Sequence, residues 1–225
     1  MTLTYSLLWR PIAVIEAIRG RGYQRVRNSL GTFRVGDPHA LIQFSRFFDP
    51  KVKQVVSECR GLYVDVGANI GLYSILAAKN GCPVVAIEPA EGTYRLLLEN
   101  IVANRQEGRI EAIRAAAWSS NEDLRLSYNY QLALRAIASE GEKVRGATLD
   151  SLLRGRKPAL IKIDVEGKTA EVIKGALRTL AQHHPLIVFE AKPEDGGMHP
   201  VAAALKPLDY RIKRLDRTNW LASVS

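Results

Sequence analysis

The sequence predicts an α/β fold of the Rossmann-like type, in which a mostly parallel sheet lies between two layers of helices. Apolar, β-favouring runs alternate with stretches of helical periodicity from residue 62 onward. A glycine-containing turn joins the first of these strands to its helix, and a glutamate ends the second strand. The chain has 225 residues, 47% of them hydrophobic, which is enough for one domain with a substantial core and an extension.

Residues 1–60 are predicted to form an N-terminal helical cap that precedes the main domain, residues 61–225. Residues 5–19 have the pattern of an amphipathic helix, and residues 20–36 are rich in glycine turns. A second short helix is predicted over residues 50–59.

The main domain is predicted to contain seven strands, with helices on both faces of the sheet. The predicted strands are residues 62–66, 84–88, 109–115, 159–165, 185–190, 209–215 and 218–224. The predicted helices are residues 71–80, 91–104, 168–183 and 199–206, and residues 149–154 are predicted as helix or turn. An irregular β-rich insertion, residues 117–148, follows the third strand. Ligands of such sheets bind over the carboxyl ends of the strands, so functional residues are expected there.

The turn after the first strand runs from Asp65 to Gly71 and has the properties of a cofactor-binding loop. Glycine at 67 and 71 allows backbone angles closed to other residues and close approach of a ligand. A dinucleotide fingerprint needs glycine at relative positions one, three and six, but here the second and third of these hold Asn69 and Leu72. The turn therefore favours a cofactor without phosphates, such as S-adenosylmethionine, whose ammonium group Asp65 could bind.

Glu88 follows the second strand and lies 21 residues after Gly67. At this spacing a carboxylate at the strand tip can accept both hydroxyls of a cofactor ribose. The structural alternative is that Glu88 only stabilises the N-terminus of the helix that starts near Glu91. The ribose role is favoured because the turn and the carboxylate occur together in one strand-helix-strand unit.

Three ionisable residues share one face of the predicted fourth strand: Lys162, Asp164 and Glu166. A central parallel strand is usually apolar on both faces, so these groups cost energy unless they are paired or open into a cleft. Asp164 and Glu166 lie at the carboxyl end, where the cleft is expected. The alternative is a structural set of ion pairs, in which Lys162 neutralises a neighbouring carboxylate.

The formal net charge of +9 is unevenly distributed along the chain. Residues 1–60 carry an excess of six positive charges and residues 206–217 an excess of three, whereas residues 61–205 are neutral. The basic flanks could attract a phosphorylated sugar, a nucleic acid or an anionic membrane surface, or they could serve solubility alone. We expect a small-molecule or glycan acceptor of anionic character. Nucleic acid is less favoured, because aromatic residues do not interleave with the basic ones.

Cysteine, histidine and hydropathy patterns argue against other classes of protein. Cys59 and Cys82 lie apart without a CxxC pair, and the four histidines make no ligand spacing with them, so neither a disulfide framework nor a metal site is predicted. No run approaches the roughly 18 apolar residues that span a membrane. Arg10 and Glu16 interrupt the apolar N-terminus, so a signal peptide is not predicted. We expect a cytoplasmic location, with peripheral membrane contact left open.

The motifs of the main domain resemble those of the FkbM-type methyltransferases. The resemblance spans positions 62–190 in the family's order and is carried by Val64 to Gly71, Glu88-Pro89, Thr148 to Asp150, Ile161 to Gly167, Lys174 to Ala176 and Pro185 to Glu190. It implies a class I methyltransferase fold, S-adenosylmethionine as cofactor and S-adenosylhomocysteine as product. It also implies O-methylation of a sugar, glycan or natural product.

One position departs from the family's pattern. After Glu166-Gly167 the family usually continues with Ala-Glu, whereas this chain has Lys168 and Thr169. Thr169 removes a carboxylate from the first helical turn beside the site. Lys168 could meet an anionic acceptor.

The candidate catalytic residues are Asp164, Glu166 and Glu190. A sugar hydroxyl attacks a methyl group well only when its proton is removed, and a carboxylate within hydrogen-bond reach can remove it. Asp164 at the strand tip is the first choice of general base, followed by Glu166 and Glu190. The candidate cofactor-binding residues are Asp65, Gly67, Ala68, Asn69, Gly71, Glu88, Ala117, Trp118 and Asp164.

Other methylation chemistries would leave different residues after the fourth strand. Amino methylation commonly uses an Asn/Asp-Pro-Pro-aromatic turn there, and this chain has Asp164 to Gly167 instead. Cytosine C5 methylation needs a cysteine nucleophile, and neither Cys59 nor Cys82 follows that strand. Two further interpretations stay open: an RNA methyltransferase whose basic flanks bind phosphates, and a non-catalytic interaction module with the same fold.

Overall fold

The structure is a computed structural model that describes residues 2–3, 14–17, 24–36, 49–127, 137–193 and 196–224. Its strands, in chain order, are β1 (Thr2–Leu3), β2 (Val14–Ala17), β3 (Gln24–Asn28), β4 (Gly31–Val35), β5 (Leu62–Val66), β6 (Val84–Ile87), β7 (Ile110–Ile113), β8 (Ala116–Ala117), β9 (Asp123–Leu126), β10 (Glu142–Ala147), β11 (Pro158–Ile163), β12 (Leu186–Glu190), β13 (Arg211–Arg214) and β14 (Asn219–Ser223). Its helices are α1 (Pro50–Glu58), α2 (Leu72–Lys79), α3 (Glu91–Ala103), α4 (Leu149–Leu153), α5 (Thr169–Lys174), α6 (Leu177–His183) and α7 (His199–Leu205).

Seven strands form the main sheet in the order β13-β14-β12-β11-β5-β6-β7. Strand β14 runs antiparallel to both of its neighbours, and the other neighbouring pairs are parallel. The prediction of a seven-stranded, mostly parallel sheet is therefore confirmed. The insertion after the third strand is β-rich as predicted, since β8, β10 and β9 form a separate three-stranded sheet.

Alternating side chains of the sheet build two hydrophobic layers, one on each face. Tyr63 and Leu160 point into a cluster that also contains buried residues of α1, α2 and α3. Val64 and Ile161, the next residue of each strand, point into a second cluster with residues of α4 to α7. Each central strand is thus covered on both faces, which explains its nearly continuous apolar sequence.

The register of the parallel strands places four strand ends side by side. Val66 pairs with both Ile87 and Ile163, and Ile163 pairs in turn with Phe189. The residue that follows each of these four lies at the same edge of the sheet. These residues, called the carboxyl-end row below, are Gly67, Glu88, Asp164 and Glu190.

The predicted helical cap is wrong for most of the described part of residues 1–60. Residues 14–17, predicted as helix, form β2, and the stretch predicted as turns contains the hairpin of β3 and β4. The alternation typical of a strand is visible there, because Val26 is buried while Arg25 and Arg27 are exposed. Only α1 is helical, close to its predicted bounds. The remainder of the predicted helix over 5–19 lies outside the described residues.

The predicted helix over 168–183 is divided into α5 and α6 by a close backbone contact. A Cβ atom at Gly175 would lie 1.9 Å from the carbonyl oxygen of Trp118. Asp150, which lies at the start of α4, accepts hydrogen bonds from the backbone N–H groups of Arg178 and Thr179. The family-like motifs around positions 150 and 175 therefore hold α4, α6 and the segment at Trp118 together.

Among the described residues, no helix is both long and apolar enough to cross a membrane.

Candidate active site

A cavity of about 330 Å³ lies over the carboxyl-end row. All four row residues line it, together with Asp49, which precedes α1, and residues from α2, the three-stranded sheet and β14. This volume falls within the range of small-molecule sites. The position matches the expectation that a ligand binds over the strand ends.

The glycine turn is held tightly between two neighbouring strands. The N–H groups of Gly67 and Ala68 both donate to the carbonyl oxygen of Ile87 at 3.0 Å. Gly67 has φ of 76°, and a Cβ atom there would lie 2.0 Å from the carbonyl oxygen of Asp164. Asn69 and Gly71 also adopt positive φ, and α2 begins directly after Gly71. Glycine at 67 is thus required by packing of the backbone as well as by its dihedral angles.

Glu88 is 7% exposed and fixes the loops on both sides of it. One carboxylate oxygen accepts the N–H of Asn69 and the other accepts the N–H of Ala90, both at 3.0 Å. Because Ala90 precedes the first residue of α3, the helix-stabilising interpretation of Glu88 is part of its role. Its side chain also lines the cavity, so the ribose contact stays a prediction that the geometry allows.

Asp65 does not occupy the place that the sequence predicts for it. The side chain is fully buried on the α2 face of the sheet, where Ser74 donates a hydrogen bond to its Oδ2 at 2.6 Å. Lys162 stands opposite it on β11, with Nζ 3.9 Å from Oδ1. Asp65 is therefore not among the residues that line the cavity in this structure, and its contact with a cofactor ammonium group stays a prediction.

Lys162 is the buried cation of the site. Its Nζ donates to Asp164 Oδ2 at 3.0 Å and lies 4.6 Å from the centre of the Tyr73 ring. Only 4% of Lys162 is exposed, so its charge would be costly without these partners. The ion-pair interpretation of the fourth strand thus holds for Lys162, which neutralises Asp164 at the cavity and faces Asp65 beneath it.

Asp164 and Glu190 are adjacent carboxyl groups in different electrostatic surroundings. Burial by itself would raise the pKa of Asp164, but the charge and hydrogen bond of Lys162 outweigh it and hold that pKa below its usual value. Burial, followed by repulsion from Asp164, raises the pKa of Glu190 to about 7, although Lys192 acts in the opposite direction. The two environments separate the roles of the carboxyl groups at neutral pH: one is ionised, and the other is poised to exchange a proton.

Lys192 connects the other two candidate catalytic carboxylates. Its Nζ lies 3.0 Å from Glu190 Oε2 and 3.2 Å from Glu166 Oε2. All three predicted catalytic residues line the cavity. Asp164 and Glu190 belong to the carboxyl-end row, whereas Glu166 lies in the turn after β11.

Three further residues at the cavity were missed by the sequence-based prediction. The Tyr73 hydroxyl donates to Asp49 Oδ2 at 3.0 Å, and Asn219 Nδ2 donates to Asp49 Oδ1 at 3.1 Å. All three line the cavity. Asp49 precedes Pro50, and in the sequence this pair signals only the start of a helix.

The opposite part of the cavity lining, near Glu88, is largely apolar. Its members come from β6, the segment after β7 and the insertion, and they include Ile87, Ala115, Ala117, Trp118, Leu126 and Ile137. Ala117 and Trp118, predicted to bind the cofactor, therefore lie where an aromatic base could be covered. The backbone N–H of Trp118 donates to the carbonyl of Ala147 at 2.9 Å, which ties this wall to β10.

Of the two residues that depart from the family pattern, Thr169 is buried behind the cavity lining and Lys168 is part of that lining. Thr169 is buried, and its hydroxyl donates to the carbonyl oxygen of Glu190 at 3.1 Å. It therefore anchors the strand end that carries a candidate base. Lys168 lines the cavity, so an acceptor could contact its ammonium group.

The cavity has the chemical groups that S-adenosylmethionine requires. Apolar walls suit the adenine, the Glu88 carboxylate suits the ribose hydroxyls, and further carboxylates can meet the positive charges of the methionine part. Together with the strand order of the sheet, this arrangement defines a class I methyltransferase.

Comparison with known proteins identifies the family. The sequence profile of the methyltransferase FkbM domain matches residues 65–212. The chain therefore belongs to the FkbM methyltransferase family, and its cofactor is S-adenosylmethionine.

Individual relatives are distant. Methyltransferase sdnD of Sordaria araneosa is 28% identical over 200 residues, which cover 70% of this chain and 76% of that protein. Hexuronic acid methyltransferase AglP of Haloferax volcanii is 30% identical over 130 residues, or 55% of this chain and 53% of that protein. A solved methyltransferase FkbM from Methylobacillus flagellatus KT has a TM-score of 0.55 at 21% identity, covering 79% of this chain and 46% of that one. The chain thus spans about half the length of the last two proteins.

Proposed function

We propose that the chain is an O-methyltransferase that methylates a hydroxyl group of a sugar, glycan or small natural product. The observation that carries this proposal is the pair of adjacent carboxyl groups, Asp164 and Glu190, at the cavity. Oxygen nucleophiles need a base, because a neutral hydroxyl attacks poorly. The two residues provide one ionised and one titrating carboxyl group where the acceptor would lie.

Glu190 is the general base in this proposal, and Asp164 orients the acceptor. The bound cofactor supplies the methyl group as an electrophile on a positively charged sulfur. As the acceptor oxygen bonds to the methyl carbon, the carbon–sulfur bond would break and its electron pair would stay on sulfur, so that S-adenosylhomocysteine would leave. The hydroxyl proton would pass to the Glu190 carboxylate. Asp164, held ionised by Lys162, is the weaker base and would orient the acceptor by accepting a hydrogen bond from a second hydroxyl group of that acceptor. The sequence alone ranks these two residues in the opposite order.

The relatives support an acceptor of the sugar class. AglP is named as a methyltransferase of a hexuronic acid, and its similarity covers 55% of this chain. A uronic acid carries a carboxylate as well as hydroxyls. An anionic acceptor of this kind suits Lys168 at the cavity and the basic flanks, of which Arg25 and Arg27 are exposed on β3.

The proposal is tested with isotopically labelled S-adenosylmethionine and a panel of acceptors. The panel contains free uronic acids, neutral sugars, nucleotide-linked sugars and an RNA transcript. Product mass and NMR then locate the new methyl group. Labelled O-methyl groups on a sugar are expected, whereas methyl groups on nitrogen, on carbon or on RNA would contradict the proposal.

A salt series distinguishes the acceptor classes further. Attraction by exposed charges weakens as the Debye length falls from about 30 Å at 0.01 M to about 8 Å at physiological ionic strength. The Michaelis constant of an anionic acceptor should therefore rise with salt, and Arg25→Glu with Arg27→Glu should raise it at low salt. A Michaelis constant that is indifferent to both changes would mean that the basic flanks serve solubility alone.

A further inference from the structure

The burial of Asp65 leaves the ammonium group of the cofactor without its predicted partner. A carboxylate that is fully buried and bonded to Ser74 cannot meet a ligand in the cavity unless the core opens. An ammonium group transferred from water to a protein site needs an anionic or hydrogen-bonding replacement. A carboxylate of the cavity lining would supply an anionic replacement.

In the described part of the chain, five carboxyl residues line the cavity, and four of them either pair with a lysine or hold the loops beside them. Glu88 accepts two backbone N–H groups, and Asp164 is bonded to Lys162. Glu166 and Glu190 both interact with Lys192. The fifth residue, Asp49, lies on another element, directly before α1.

Asp49 is oriented by neutral donors that leave its negative charge in place. Tyr73 donates to one carboxylate oxygen and Asn219 to the other, and both donors also line the cavity. The residue has φ of 45° and ψ of 51°, a left-handed conformation that aspartate tolerates better than most residues. This backbone geometry and two hydrogen bonds from distant parts of the chain fix the carboxylate at the cavity.

From these contacts we infer that Asp49 binds the α-amino group of S-adenosylmethionine in place of Asp65. The assignment deepens the cofactor site on which the proposed function rests, and it does not depend on the acceptor. Tyr73 lies in the first turn of α2, next to the glycine turn, so Asp49 reaches the same turn from outside the sheet. Residues 1–60, which precede the main domain, thereby contribute a charged group to a site otherwise built by residues 61–225.

The charges around Asp49 suit the binding of a cation. Burial raises the pKa of Asp49, the Tyr73 hydrogen bond lowers it, and Asp164 and Asp216 raise it. Lys162 from β11 lowers it, and Lys53 on α1 interacts with it as well. A ligand ammonium at the carboxylate would offset the cost of burying that negative charge.

Calorimetric binding of two ligands to the full chain tests this inference. The ligands are S-adenosylhomocysteine and its deamino analogue, in which hydrogen replaces the α-amino group. Asp49→Asn should weaken binding of S-adenosylhomocysteine about 10- to 100-fold, the scale of one hydrogen bond between charged groups, and leave binding of the analogue unchanged.

Two control variants make the comparison specific. Glu88→Gln, at the predicted ribose contact, should weaken both ligands to the same extent. Asp65→Asn should produce no loss that depends on the amino group. If the amino-dependent loss appears in Asp65→Asn and not in Asp49→Asn, the inference is overturned and the sequence-based assignment is restored.

The remaining outcomes also decide the matter. An equal loss of affinity for both ligands in Asp49→Asn would mean a structural role through Tyr73 and Asn219, and unchanged binding would exclude any role.

If Asp49→Asn does not fold, Tyr73→Phe replaces it, since that variant keeps the Asp49 carboxylate but removes the hydrogen bond that orients it. It should weaken S-adenosylhomocysteine several-fold more than the analogue, and an equal effect would contradict the inference. A wild-type chain that binds neither ligand would refute the cofactor assignment rather than the role of Asp49.

Discussion

Lys162 donates a hydrogen bond from Nζ to Oδ2 of Asp164 at 3.0 Å. The two residues are on the same face of one strand, and Asp164 is the first residue beyond its end. A buried lysine thus keeps a cavity carboxylate ionised, and burial together with that ionised carboxylate raises the pKa of Glu190 beside it. Lys162 on β11 thus influences, through Asp164, the pKa of the carboxyl group that is proposed to accept the proton.

Replacing the proposed base should affect turnover far more than cofactor binding. Glu190→Gln keeps the shape of the side chain but removes its basicity, so kcat should fall about 10²- to 10⁴-fold. Affinity for S-adenosylhomocysteine, measured by calorimetry, should change little. Full activity in this variant would show that another group accepts the proton.

The pH profile should separate the roles of Glu190 and Asp164. A general base must be deprotonated, so kcat/KM of the wild type should fall as pH drops through about 7, the pKa of Glu190. This acid limb should disappear in Glu190→Gln. In Asp164→Asn it should move to lower pH, because the charge that raises the Glu190 pKa is removed. A limb that vanishes in Asp164→Asn and persists in Glu190→Gln would make Asp164 the base.

Glu190 also predicts a direction for stability against pH. Its folded-state pKa of about 7 exceeds the ordinary value of 4.5, so the folded state binds the proton more tightly than the unfolded state does. This group therefore favours folding at pH below the unfolded pKa and progressively loses that contribution as pH rises through about 7. The free energy of unfolding, measured with urea, should fall between pH 6 and pH 8 by less in Glu190→Gln than in the wild type.

Removing the buried lysine should destabilise the fold. Lys162→Met retains most of the side-chain volume but removes the cation that faces the fully buried Asp65, and breaking such a buried pair costs about 3–5 kcal/mol of the free energy of unfolding. Lys143→Met is the matched control. Its ion pair with Asp123 is exposed and should be worth less than about 1 kcal/mol. Similar urea midpoints for both variants would contradict this account of Lys162.

The predicted ribose contact can be measured on its own. Glu88→Gln should weaken binding of S-adenosylhomocysteine by about 1–3 kcal/mol, the scale for hydrogen bonds to a charged group. An analogue that lacks the ribose 2′-hydroxyl should lose less on the same substitution. Glu91→Gln, three residues further along and paired with Arg95 on the surface, should leave both affinities unchanged. Retained affinity in Glu88→Gln would place the ribose contact elsewhere.

Two glycine substitutions test the backbone of the turn. Gly67→Ala must place a Cβ atom 2.0 Å from the carbonyl oxygen of Asp164 at positive φ, so a loss of about 3 kcal/mol or more is expected. Gly92→Ala has open space around its Cβ and lies in α3, where alanine is favoured by up to about 1 kcal/mol. Thermal unfolding should therefore separate the two variants. Equal midpoints would mean that the turn can shift away from β11.

The sequence alone was sufficient for the main domain, because its signals are local. Alternation of short apolar runs with helical periods predicts the seven strands, and the first strand was predicted as observed, Leu62–Val66. The glycine turn and the 21-residue spacing to Glu88 indicate the class of cofactor, since both lie within one strand-helix-strand unit.

Only the tertiary structure decided which charged groups reach the cavity. Strand register places Lys162 opposite Asp65 and so buries a carboxylate that the sequence assigns to the ligand. Asp49 and Asn219 are 170 residues apart in the chain, yet they share a hydrogen bond at the site. Strand β2 was predicted as helix because a short apolar segment fits either period, and its pairing with β1 and β3 determines the outcome. Periodicity reports which face a residue occupies, whereas its solvation and its pKa depend on neighbours that only the folded chain brings together.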